Sequence, residues 1–488
     1  MSNSKKDSTI VLIDGCRIPF QKPGTGYRNF RAHDLARFVI RGILDRTGIK
    51  PGSVDGVIMG NVIQDADTAN VAREAALGAG LPASVPAHTV SMSSLSSHQA
   101  ITGAAEQILS GHADVMIAGG VDSVSAYESR LPLKKRTMTP FLTEFSTGET
   151  MGAHADRLAS LFGVTRETQD AYTVRSHQSA VKARQEQLTG TDIVPVTGPP
   201  DFVPIAGDNG IQPDCTPENL SLHKPTYDNK FGTVTAGNAA GQVDGAAALL
   251  LMRESTAEKL GLAPKARLTS WVYTAHDPSN EMLLGQASAI PKLLEKAGIS
   301  SDKIDVFELH EAFAAQVLAV LEALSTNYFS TGESGKTSGS IDTARTGKSD
   351  KAGESGKTDT QALSASIPLK KLNRLGGSLA LGHVFGATGA RLVITAANRI
   401  ALEQGTYALA ASCAGGGLGH AILLEAVKPD KRKPAGSKAS SSRSKTNAST
   451  KTTNQGKTAS TKKTASSRKS GTFKGTSTRK SETKSKSK

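Results

Sequence analysis

The sequence predicts an α/β protein, and three observations carry that reading. Short β-rich runs alternate with stretches of helical period along most of the chain. Several of these runs are apolar at nearly every position, as GAAALLLM (245–252) is, which is the pattern of a strand buried on both faces of a sheet. The 488 residues are 38% hydrophobic and 21% charged, enough chain for two or three domains with sizeable cores, so a small disulfide-stapled or wholly disordered protein is excluded.

Each element follows from its local pattern. TIVLIDG (9–15) predicts the first strand and the periodic stretch 34–46 the first helix. VDGVIMG (54–60) returns to strand, 70–80 to helix, VPAHTV (85–90) to strand and 96–110 to helix, and ADVMIAGG (113–120) completes a first α/β unit. Residues 126–230 are richer in charge and punctuated by Pro and Gly, with one amphipathic helix over 166–187, and form an inserted loop domain. Strand resumes at 245–252, so the first half comprises 8–125 plus 231–265. Residues 266–427 repeat the alternation as a second half and close on YALAASCAGGGLGHAILLEAV, two strands around a glycine turn.

Two segments depart from this rhythm by composition. Residues 330–364 are built from Gly, Ser, Thr, Lys and Asp and contain GESGKT twice. A phosphate-binding loop needs Gly where Ser330 and Lys351 stand and a strand before it, so the segment is a low-complexity insertion. The chain carries 58 Lys and Arg against 44 Asp and Glu, but 428–488 alone holds 19 basic and 2 acidic residues, a charge of +17. The other residues net −3, so the basicity belongs to a tail and does not make the fold a nucleic-acid binder. The Lys/Ser/Thr tail is expected to be disordered; it contacts polyanions through counterion release or has no fixed partner.

Cys16, Cys215 and Cys413 are too few and too scattered for a disulfide framework or a CxxC metal site, which favours a reducing setting. No run is long and apolar enough for a membrane span, and MSNSKKDST lacks the apolar stretch of a signal peptide; the expected location is cytoplasmic.

Four stretches place reactive side chains beside glycine turns or strand ends: SMSSLSSHQ (91–99), FELHEAFAAQ (307–316), LGGSLALGHVFGATGAR (375–391) and SCAGGGLG (412–419). Glycine lets backbone N–H groups approach a ligand closely. With DGCRIPF, GGVDSVS, MGAHADRLASLFGVTRETQDAYTVRSHQ and FGTVTAGNAAGQVDGAAALLLM, they make residues 8–427 resemble the thiolases, which cleave or form the carbon-carbon bond of 3-ketoacyl-CoA. HEAF and VPAHTV are most similar to the thiolase subunit of fatty-acid oxidation complexes.

The resemblance implies two similar halves, each a mixed five-stranded sheet covered by helices, in a five-layered αβαβα core with a loop domain inserted. It implies a homodimer or homotetramer and a hydratase/dehydrogenase partner subunit. CoA and acyl-CoA are then substrates, and no cofactor or metal is required. His383 would take the proton of the nucleophile, Cys413 would serve the α-carbon as acid and base, and His310 would hold a water or donate to the thioester oxygen. The backbone N–H groups of Ser94 and Gly415 would face the second oxyanion, and Ala240 would lie by the CoA arm, where many relatives have serine.

The departure is Ser94, which stands where the family has its nucleophilic cysteine. A serine hydroxyl stays protonated and must surrender its proton during attack, so it works only beside a well-placed base. Ser94 is then the nucleophile with His383 as base, or Ser94 or Ser96 caps the following helix, Ser96 and Gln99 fitting the S-x-x-Q box, or Cys413 is acylated instead. GHV also replaces GHP, losing the fixed φ of proline after the histidine. Three functions follow: an acyl-CoA C-acyltransferase of β-oxidation, a non-thiolytic relative (acyl-CoA binding or regulatory, decarboxylase or hydrolase), or a scaffold that has lost its chemistry.

Overall fold

The computed structural model describes residues 8–64, 67–131, 143–199, 202–329 and 367–427. The low-complexity insertion and the basic tail read from the sequence lie outside these residues.

Among the described residues the apolar runs become nine strands: β1 (Ile10–Arg17), β2 (Gly56–Gly60), β3 (Ala87–Val90), β4 (Val115–Asp122), β5 (Gly245–Arg253), β6 (Ala266–Ala275), β7 (Ile304–Leu309), β8 (Tyr407–Ala414) and β9 (Leu418–Ala426). Their hydrogen-bonded order is β3-β2-β4-β5-β1-β6-β9-β8-β7. In the first half β2 runs parallel to β3 and β4, while β5 is antiparallel to β4 and β1. The second half repeats the scheme, β7 parallel to β8, and β9 antiparallel to β8 and β6. The halves join where β1 pairs with β6, from Ile10 opposite Leu268 to Leu12 opposite Ala266.

Among the described residues the second half contributes four strands, not the five expected. At the fifth position a lone parallel bridge joins Phe307 to Leu372. Asn373 then takes a positive φ of 44°, which ends extended pairing. Its side-chain amide substitutes for the missing strand: Leu309 N–H donates to Asn373 Oδ1 (2.8 Å), and Asn373 Nδ2 donates to the Leu309 carbonyl (2.9 Å).

Helices cover both outer faces and fill the space between the halves. On the outside of the first half, α1 (Ala32–Thr47) and α2 (Val71–Gly78) pack Leu35, Val39, Ile40 and Ala75 against Val57, Ile117 and Leu250. Between the halves, α3 (Ser96–Leu109) supplies Ile101 and Ile108 to a core shared with Leu249, Leu251, Ala410 and Ile422. Leu249, Leu250 and Leu251 thus alternate between two buried layers, so β5 is apolar from Gly245 to Met252.

In the inserted region, α4 (Met151–Leu161) is a helix that the sequence reading passed over, and α5 (Arg166–Gln185) stops short of residue 187. The expected apolar face of α5 is instead largely polar where it is buried, with Gln169, Asp170, Thr173, Ser176 and His177. It docks by hydrogen bonds: Tyr172 and Ser176 donate to the two oxygens of buried Glu311, at 3.0 and 2.8 Å. On the far face of the second half, α6 (Gly285–Ala297) and α7 (Ala314–Ser325) pack Ile290, Leu293, Val317 and Val320 against Leu409, Ala421 and Leu423. The central layer is completed by α8 (Thr388–Leu402), whose Leu392, Val393 and Ile394 join the core that α3 enters. Helices, sheet, helices, sheet and helices make the αβαβα layering.

Candidate active site

The catalytic candidates sit where strands end and chain from the two halves meets. After β3 the chain turns sharply through 92–96. Ser93 adopts φ of 46°, and its carbonyl accepts from the Ser96 hydroxyl at 2.6 Å. A Cβ on Gly60 at the end of β2 would lie 2.6 Å from the Ser96 backbone, so glycine is required there for the turn to seat. Ser96 is already inside α3, Leu95 holds the N-cap position, and no side chain caps the helix. The S-x-x-Q box expected at Ser96 therefore does not form. The Ser96 hydroxyl is committed to closing the turn, donating to Ser93 and accepting from the Met92 N–H at 2.8 Å.

Ser94 projects instead to a base: its Oγ lies 3.0 Å from His383 Nε2. The other ring nitrogen, Nδ1, lies 2.7 Å from Thr388 Oγ1. Thr388 commits its single hydroxyl proton to the Val384 carbonyl at 2.8 Å, so at His383 it accepts from Nδ1–H. Nε2 then carries the lone pair facing Ser94. Burial, then the positive charge of Arg391, lower the His383 pKa to about 3, so the ring is a neutral base.

The backbone of His383 is held without the proline of the family pattern. Its N–H donates to the Gly241 carbonyl at 2.8 Å and its carbonyl accepts from the Val243 N–H at 3.3 Å. Gly382 precedes it at φ of 91°, with Val243 so close that a Cβ would meet Cγ1 at 2.5 Å. These contacts fix the turn from outside, while Val384 is fully buried beneath it.

His310 follows β7, with its ring centroid 4.2 Å from that of His383. Its tautomer is opposite. Ser378 Oγ accepts from Arg391 Nη2 at 2.9 Å, and its own proton has no acceptor among the described residues other than His310 Nδ1, 3.0 Å away, which assigns it to that nitrogen. The remaining proton is on Nε2, a buried atom with no hydrogen-bond partner that borders the cavity. Burial, with His383 and Arg391 nearby, holds His310 well below the ordinary histidine value, so it is a neutral donor. Gln286 supports the backbone here, its Nε2 donating to the carbonyls of His310 (3.0 Å) and Ala411 (3.1 Å).

Cys413 is the last residue but one of β8 and is fully buried, which pushes its thiol up to about 12 and keeps it protonated. Gly415 follows in the turn, beside Ser93 and the carboxylate of Glu144, which accepts from the Gly416 N–H at 2.9 Å. Ala240 also borders the site, its N–H donating to the Ala312 carbonyl at 3.0 Å.

Ser94, His310, His383, Cys413, Gly415 and Ala240 therefore all border one cavity of about 380 Å³. Its remaining wall is largely apolar, with Val62, Phe145, Met151, Tyr227, Leu283, Phe313 and Phe385. Such a pocket suits an acyl chain presented to a few polar groups. Among the described residues no cluster of His, Cys, Asp and Glu has the spacing of a metal site, and no helix is long and apolar enough to cross a membrane.

Sequence reasoning missed the residues that set the two tautomers. Thr388 lies in the quoted GATGAR stretch and Ser378 in LGGSLALG, but a Thr or Ser at a helix start reads as a cap. Glu311 of HEAF was also passed over; it accepts from Tyr172, Ser176, Asn373 and the Leu379 N–H and ties the loop region to the second half.

Comparison with known proteins decides the family. Residues 10–255 match the model of the thiolase N-terminal domain and 262–426 that of the thiolase C-terminal domain. The chain belongs to the thiolase family. Across 445 aligned residues this thiolase is 43% identical to the mitochondrial trifunctional enzyme subunit beta of Bos taurus, covering 86% of its own length and 88% of the bovine chain. It is 35% identical to the 3-ketoacyl-CoA thiolase of Yersinia enterocolitica, over 86% of its own length and 98% of the relative's. The crystal structure of the Bacillus anthracis acetyl-CoA acetyltransferase superposes with a TM-score of 0.74 at 32% identity, covering 86% of this thiolase and 99% of that chain.

Proposed function

We propose that the protein is an acyl-CoA C-acyltransferase that cleaves or forms the bond between the α and keto carbons of 3-ketoacyl-CoA in fatty-acid β-oxidation, with Ser94 as nucleophile. The observation that carries this reading is the 3.0 Å contact of Ser94 Oγ with the unprotonated Nε2 of His383. A serine lacks the low pKa of a thiol and needs such a base.

In the cleavage direction Ser94 Oγ attacks the keto carbon as its proton moves to His383 Nε2. His310 Nε2–H and the backbone N–H groups of Ser94 and Gly415 are the donors for the oxyanions, which gain most in a cavity shielded from water. The α-carbon leaves as an enolate and takes its proton from Cys413, whose protonated thiol suits a general acid. CoA then takes the acyl group as a substrate.

Relatives named as a 3-ketoacyl-CoA thiolase and as one subunit of a trifunctional enzyme support this substrate class and a hydratase/dehydrogenase partner. A homodimer or homotetramer is part of the proposal; β3, half-exposed at the end of the sheet, is the supporting feature. The cytoplasmic setting rests on the sequence alone, and the bovine relative is named as mitochondrial.

The test is acetyl-CoA release from a 3-ketoacyl-CoA by the full chain beside Ser94→Ala and Ser94→Cys. Release by the native protein that is lost in Ser94→Ala supports the proposal. A silent native protein beside an active Ser94→Cys overturns it in favour of a non-thiolytic role.

A further inference from the structure

We propose that the acyl group on Ser94 passes to water as well as to CoA, so that the protein is a 3-ketoacyl-CoA hydrolase releasing acetyl-CoA and a free fatty acid. The inference rests on the acyl-transfer reading above and names the second acceptor.

The argument starts from the bond that Ser94 makes. Acylation of Oγ gives an oxygen ester, whereas CoA is a thiol. When the CoA thiolate adds to that ester, the tetrahedral intermediate carries a thiolate and a serine alkoxide as alternative leaving groups. The less basic group leaves faster, so the intermediate returns mainly to the serine ester and expels CoA again. When water adds, the competing groups are hydroxide and the serine oxygen, which are alike in basicity, and protonation of Oγ decides the outcome. His383 is placed to supply that proton, since its Nε2 faces Ser94 Oγ at 3.0 Å.

The surroundings fit this second step. Ser94 is half-exposed, and the cavity of about 380 Å³ has room for water beside the acyl group. His310 Nε2, buried and without a partner, is available to the oxyanion of the ester as it is to that of the ketone. The base is also restored between steps. After cleavage His383 is an imidazolium and Cys413 a thiolate, two charges in a cavity that disfavours both. Transfer of the proton from ring to sulfur neutralises the pair and leaves Nε2 free.

The balance is complete with water as the only co-reactant. In the first step the Oγ–carbon bond forms at the keto carbon and the bond to the α-carbon breaks. The released electron pair is protonated by Cys413, and the Ser94 proton moves to His383. In the second, water bonds to the ester carbon while giving a proton to His383 Nε2; the bond to Oγ breaks and that proton returns to Ser94. The sum is 3-ketoacyl-CoA plus water giving fatty acid plus acetyl-CoA.

The experiment incubates the full chain with 3-oxopalmitoyl-CoA in heavy-oxygen water without free CoA, then repeats it with CoA. The expected result is many turnovers without CoA and tetradecanoate (myristate), the acid that remains once acetyl-CoA has left, bearing one heavy oxygen from each. With CoA present, Ser94→Cys should shift the product ratio toward acyl-CoA by roughly tenfold or more. Release of one equivalent of acetyl-CoA, with no more until CoA is added, overturns the hydrolytic inference while leaving acyl transfer to Ser94 intact. No acetyl-CoA under either condition overturns the acyl-transfer reading and this inference with it.

Discussion

Thr388 Oγ1 stands 2.7 Å from Nδ1 of His383 and spends its own proton on the Val384 carbonyl, so the threonine fixes which face of the imidazole is basic. Thr388→Val keeps the shape but removes the acceptor. Its kcat/KM for ketoacyl cleavage is expected to fall by about one to two orders of magnitude, with Thr388→Ser recovering most of the loss. Equal rates for Val and native Thr at this position would show that His383 needs no such partner.

The pH profile follows from burial. The His383 pKa is lowered, so the base is lost only as pH falls toward about 3, not near the ordinary value of 6.5. The Cys413 pKa is raised, so the acid is lost only as pH rises toward about 12. Because kcat/KM reports ionisations of the free enzyme, it should be flat between about pH 5 and 9. A limb with its midpoint between about pH 6 and 7 would mean that His383 titrates as an ordinary histidine.

Asp122 at the end of β4 binds the two halves together. Its Oδ1 accepts from Asn61 Nδ2 (2.7 Å) and the N–H groups of Val62 (3.0 Å) and Ile63 (2.8 Å), and its Oδ2 accepts from the Gly386 N–H (2.6 Å) in the segment that follows His383. Asp122→Ala leaves the buried N–H groups of Val62, Ile63 and Gly386 unpaired, while Asn61 Nδ2 keeps the Val121 carbonyl, and the expected loss of unfolding free energy is on the order of 3 kcal/mol or more. Denaturant unfolding measures it; a change under about 1 kcal/mol would contradict the assignment.

Ser378 does for His310 what Thr388 does for His383. Ser378→Ala frees Nδ1 of the buried ring and the Nη2 of Arg391. The expected effect is a fall in kcat of about tenfold or more with little change in KM, because the oxyanion donor acts chiefly in the transition state. A rise in KM alone would place His310 in substrate binding.

Much of the fold was legible because strands such as β1, β4 and β5 are buried on both faces. GAAALLLM feeds alternate leucines into two cores, and no surface pattern obscures it. His310, His383 and Cys413 stood out as reactive groups beside turns that end strands. What was hidden depends on partners distant in sequence. Asn373 replaces a strand with its side chain, α5 docks through polar groups that look like a solvent face, and Thr388 and Ser378 resemble helix caps until the histidines are placed against them. Ser96 shows the opposite error, a local capping pattern overridden by the turn that holds Ser94 out toward its base.

The most direct test of the account is rapid quenching of the full chain with 3-oxopalmitoyl-CoA, followed by mass analysis of its proteolytic peptides. The account predicts a tetradecanoyl (myristoyl) group on Ser94, appearing with acetyl-CoA and absent in His383→Ala. A tetradecanoyl group on Cys413 instead, or acetyl-CoA release that persists in Ser94→Ala, would contradict it.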